Sequence, residues 1–151
     1  MESLGRKIRM SFLNASDGPR IMLFGPMDVD LLALQQCFRE LGKCGEQIQL
    51  EQQSFVVSFG DVAVIASCSG SLFETEGVRA HGSLVRAAKD ARQFEWNHTS
   101  EGWDYIAELM NGLLGSTSAA HQYLTAYPKD DAIVVVSKGE YSDNLILESR
   151  Q

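Results

Sequence analysis

At 151 residues, with 44% hydrophobic and 22% charged side chains, the chain has the size of a single domain and a composition that excludes disordered and collagen-like classes. Its 20 acidic against 13 basic residues give a net charge of −7, which would repel a polyanion and so excludes general nucleic-acid binding, while attracting a basic protein. Nothing approaches the run of about 20 apolar residues that crosses a bilayer, and the basic N-terminal stretch precedes no apolar core of signal-peptide length.

Asn14, Ser16, Asp17, Gly18 and Pro19 cluster ahead of the first strongly apolar run. Residues 1–18 are therefore expected to form a flexible arm, with one domain over residues 19–151. Ile21 to Phe24 reads as a strand, broken by Gly25-Pro26. Asp28 then caps an expected helix to about Leu41, whose Leu31, Leu34, Phe38 and Leu41 line one face; Gly42 and Gly45 stop it.

Ile48 and Leu50 alternate with Gln47, Gln49 and Glu51 as in a half-buried strand. Phe55 to Phe59 and Val62 to Cys68, joined by Gly60-Asp61, read as a hairpin whose second strand, apolar at successive positions, is central. Ser83 to Arg92 admits two readings, a short helix through Leu84, Ala87, Ala88 and Ala91 or a strand from Ser83 to Ala88. Phe94 to Trp96 looks extended.

A second helix starts at Thr99-Ser100 and carries Trp103, Ile106, Leu109, Met110 and Leu113 as an apolar stripe up to Gly115. His121 to Tyr127 and Ile133 to Ser137 read as strands around a turn at Pro128 to Asp131, and Ser142 to Asn144 leads into a short final strand or tail. Strands joined by short turns predict an α+β fold: an antiparallel sheet of about five to seven strands with two main helices on one face.

Cys37, Cys44 and Cys68 form no C-x-x-C pair, and an odd count closes no disulfide framework, so a reducing cytoplasm is the expected location. His81, His98 and Cys68 fall at no zinc spacing, and Gly25-Pro26 lacks the glycines and Lys-Ser/Thr ending of a phosphate loop. Neither metal nor cofactor is expected.

Polar chemistry concentrates from Ala120 to Tyr141. His121 and Tyr123 share one side of their strand, and with Glu140 they could line a pocket for acid-base work or a polar ligand. No third residue nearby completes a triad, and Asp130-Asp131 lies in a turn that favours Asp for geometry alone.

Phe94-Glu95-Trp96, Glu101-Gly102-Trp103, His121-Gln122-Tyr123-Leu124 and Ser137-Lys138-Gly139-Glu140-Tyr141 resemble a pattern in small uncharacterised bacterial proteins of the toxin-immunity kind, over roughly residues 94–141. The resemblance implies a chain that binds a protein and turns nothing over. The leading expectation is an antagonist that occludes the active site of a cognate, basic, nuclease-like toxin. Glu74, Glu76, Asp130, Asp131 and Glu140 would replace substrate phosphates, and Tyr141 would serve as an anchor. Two alternatives stand beside it: a small enzyme or ligand-binding domain built on His121, Tyr123 and Glu140, and a structural homodimer paired through a sheet face or edge.

Overall fold

The computed structural model describes residues 8–25, 28–43, 45–69, 83–125 and 129–139. Glu74, Glu76, Glu140, Tyr141, Cys44 and the expected final strand lie outside these residues.

The fold is α+β, built on two sheets. One has five strands in the order β4-β1-β2-β9-β8: β1 is Ile8–Ala15, β2 Gly18–Gly25, β4 Val56–Ser58, β8 Ala120–Tyr123 and β9 Ile133–Lys138. The other has four in the order β3-β5-β7-β6: β3 is Ile48–Gln49, β5 Ala63–Cys68, β6 Ser83–Arg86 and β7 Gln93–His98. Helices α1 (Asp28–Leu41), α2 (Ser100–Leu109) and the short α3 (Asn111–Leu114) complete it.

Both sheets are mixed, which corrects the expected single antiparallel sheet. β1–β2 and β8–β9 are antiparallel, but β2–β9 and β1–β4 are parallel. In the second sheet β5–β7 is parallel between two antiparallel pairs. The parallel partners are distant in sequence, as parallel pairing requires, and local turn chemistry does not report them. Gly60-Asp61 shows the difficulty. Both residues have positive φ, 70° and 61°, as in a hairpin turn, yet the turn sends β4 to β1 and β5 into the other sheet. β5 is central, between β3 and β7, as its apolar run predicted.

The N-terminal arm is corrected from Ile8 onward. Ile8, Met10 and Phe12 alternate with Arg9, Ser11 and Leu13, the period of a strand, and β1 is covered on both faces through Phe12. In the ambiguous segment the strand reading holds as β6, and Ala88 to Asp90 forms a turn with Asp90 at φ 65°.

One apolar cluster draws on every layer: Ile8, Met10, Ile21, Leu23, Val134 and Val136 from the first sheet, Val64, Ala66, Phe94 and Trp96 from the second, and the stripes of α1 and α2. Phe38 of α1 stacks on Trp103 of α2 at 5.7 Å, and Gln35 donates to the Ala107 carbonyl and to Asn111 Oδ1, both at 2.8 Å. α1 starts with Asp28 and Asp30 and ends with Arg39, matching its dipole. Thr99 Oγ1 caps α2 by accepting from Gly102 N at 3.0 Å. A smaller cluster of Met22, Phe24 and Val135 lies on the opposite face of the first sheet, which explains why β2 and β9 read as continuous apolar runs.

Cys37 is free and buried, and burial, helped by the Glu40 charge, pushes its thiol up to about 11. That suits a small apolar filler and not a nucleophile. Cys68 is disulfide-bonded, a pairing that the odd count of three cysteines did not announce.

Candidate functional site

His121 and Tyr123 stand on one face of β8, as period two requires, with ring centroids 5.2 Å apart and edge to face. Both are exposed. The Arg20 guanidinium lies 5.7 Å from the centre of the Tyr123 ring and donates to Asp17 Oδ2 at 2.6 Å. The hydrogen bond from Arg20 holds the Asp17 carboxyl below its usual range, and Asp17 raises the Arg20 guanidinium in turn. Asp17, Arg20, Tyr123 and His121 thus form a polar row beside the first sheet. Glu140, the expected third member of the pocket, lies outside the described residues.

Asp130 and Asp131, expected on a binding face, are tied into the fold. Asp130 is buried, and its Oδ1 accepts from Leu84 N at 3.0 Å; Asp131 Oδ2 accepts from Arg86 N at 2.8 Å. Asp131 N also donates to the Leu84 carbonyl at 2.9 Å. Leu84 and Arg86 present these N–H groups on the side of β6 away from β7, so the two aspartates clasp the rim of the second sheet to the turn leading into β9. Asp130 is corrected as a contact residue because its carboxylate is enclosed. Asp131 remains exposed, with one oxygen committed to this clasp.

A cavity of about 300 Å³ is lined by described residues of α2, of β8 and its end, and of the end of β7. Tyr105, Ile106 and Leu109 line it from α2, Tyr123 and Leu124 from β8 and its end, and the buried His98 from the end of β7. His98 sits edge to face against Trp103 at 5.0 Å and Trp96 at 6.0 Å, so its ring is held by the aromatic core. Lys129 and Asp130 line the cavity as well.

Beside this cavity runs the outer face of α2. Glu101, Asp104, Tyr105 and Glu108 recur at i, i+3, i+4 and i+7, the spacing of one helix face, opposite the buried Trp103, Ile106 and Met110. Asp104, Tyr105 and Glu108 are exposed, Tyr105 at 50%, and α2 has no basic residue in its last turn. Three carboxylates therefore share a helix face with one half-exposed phenol, and the Asp104 carboxylate lies against Gly42 at the end of α1.

Sequence reasoning singled out neither this face nor the cavity. The only sequence signal for this face lies in the polar positions that the α2 stripe leaves over. Among the described residues no group of three His, Cys, Asp or Glu is placed to hold a metal, and no helix is long and apolar enough to cross a membrane. Comparison with family models, with curated proteins and with solved structures gives no match.

Proposed function

We propose that the chain is a non-catalytic binding protein, of the bacterial immunity kind, that neutralises a basic, nuclease-like toxin by covering its active site. The observation that carries this reading is the outer face of α2, which carries Glu101, Asp104, the exposed Tyr105 and Glu108 at the spacing of one helix face. Carboxylates on a rigid helix can occupy cationic subsites that otherwise take phosphate, and an exposed aromatic is the side chain most often found as an interface anchor. The net charge of −7 adds long-range attraction, so association is fast and strongly dependent on salt.

Glu74, Glu76, Glu140 and Tyr141 remain proposed contacts, with Asp131 beside them. Asp130 is assigned to holding the fold. A cytoplasmic site of action belongs to the same reading.

The test is to mix the purified chain with candidate toxin domains encoded by genes neighbouring its own. A complex with Kd below about 1 µM, weakening at least tenfold between low and physiological salt, is expected. The variant Asp104→Lys with Glu108→Lys should weaken it by a further factor of ten or more. Absence of any complex, or one indifferent to salt and to charge reversal, sinks the reading.

A further inference from the structure

We infer that the disulfide at Cys68 is a redox-sensitive lock on the start of α2, and that opening it loosens the acidic face this helix carries; this supplies a regulation for the function proposed above and rests on that reading.

The three cysteines leave one choice of bond. Cys37 is free and buried, so Cys44 supplies the second sulfur of the pair with Cys68. Cys44 follows closely on Leu41, where α1 ends, and Cys68 is the last residue of β5. The bond therefore ties the tail of α1 to the end of β5. Cys68 is half-buried and next to the exposed Ser69, within reach of a dissolved reductant, whereas Cys37 is enclosed by the core.

The same two chain ends hold the first turn of α2. From the α1 side, Ser100 Oγ donates to the Gly42 carbonyl, and the Asp104 carboxylate lies so close to Gly42 that no Cβ would fit there. From the β5 side, the Ser67 carbonyl accepts from Trp103 Nε1 at 2.8 Å. Ser69 N donates to the His98 carbonyl at 2.9 Å, just ahead of the Thr99 cap. Ser100, Trp103 and Asp104 are thus gripped by two segments that the disulfide joins. Glu101, Asp104, Tyr105 and Glu108 share the outer face of this helix, so the firmness of that face depends on the junction.

Opening the bond is a two-electron exchange. One thiolate of a dithiol attacks a sulfur of the pair, and its second thiolate resolves the mixed disulfide. The dithiol leaves as a disulfide, and Cys44 and Cys68 each end as a thiol carrying one proton. Without the cross-link the tail of α1 and the end of β5 keep their hydrogen bonds but part locally at a lower cost.

The test is hydrogen exchange of the full chain with and without dithiothreitol. Denatured but unreduced protein should show one titratable thiol, and reduced protein three. Reduction should speed exchange at Gly42, Ser69, Gly102 and Trp103 by roughly tenfold or more, while Leu23 and Val136 of the β2–β9 ladder stay unchanged. Cys44→Ser and Cys68→Ser should each show the fast rates with or without reductant. Unchanged rates, a uniform rise that includes the ladder, or three thiols in the unreduced chain overturns the lock. Cys68→Ser, which needs no reductant, should also bind the toxin about tenfold more weakly. If the complex forms equally well with that variant, the lock fails as regulation and the antagonist reading stands. If no toxin binds while the exchange rates respond as described, the lock stands and the antagonist reading fails.

Discussion

Asp130 illustrates how little a residue's type says about its use. It was a reasonable candidate for a binding face because a carboxylate in a turn is usually exposed. In the fold it is buried and accepts from Leu84 N. Removing it leaves a strand N–H without its acceptor, so Asp130→Ala should lower stability by about 2 kcal/mol, roughly 4–8 °C in Tm. Asp131→Ala, at an exposed position, should cost less than half as much. Equal, negligible shifts in thermal unfolding would show that the clasp does not form. Asp17 and Glu40 act in the opposite regime. Hydrogen bonds, from Arg20 to Asp17 and chiefly from Lys43 to Glu40, hold both carboxyls below their usual range. A lowered folded value means stability that is present above the ordinary carboxylate range and lost as pH falls through the folded value. Both groups are fully exposed, so solvent screening keeps the effect small.

Among the elements, the helices were the most legible and the strand pairings the least. α1 and α2 both announce themselves through apolar spacing and end signals, Asp28 at one start and Thr99 at the other. β5 was legible as a central strand because Val62, Ala63, Val64, Ile65 and Ala66 are all apolar and leave no wet face to assign. Its neighbours were not, since β7 joins it from the far side of a long intervening segment and the Gly60-Asp61 turn mimics a hairpin. β1 was misread because the polar residues of its turn to β2, Ser16 and Asp17, outweighed the alternation of Ile8, Met10 and Phe12. Of the candidate site, the shared face of His121 and Tyr123 could be read directly from period two. The cavity could not, because it needs α2, β8 and the end of β7 to converge. The cap of α2 matters for that convergence. Thr99 Oγ1 is the acceptor for Gly102 N, so Thr99→Ala should cost about 1 kcal/mol, whereas Thr99→Ser should be nearly neutral. Chemical denaturation of the two variants separates a lost cap from lost methyl burial.

For the molecule as a whole, the pairing of β2 with β9 has a consequence in time. Arg20 through Gly25 pair in register with Ile133 through Lys138, so the central ladder of the first sheet joins the beginning of the chain to its far end. During synthesis the apolar run Ile21 to Phe24 leaves the ribosome long before its partner exists, and it has only β1 to shelter it. Loop closure over most of the chain must precede the reward of pairing, which slows the search for the native state. Refolding from denaturant should therefore take milliseconds to seconds, not microseconds, as stopped-flow fluorescence of the buried Trp96 and Trp103 would record. A nascent chain halted before Ile133 has no partner for the free edge of β2 and should depend on chaperones.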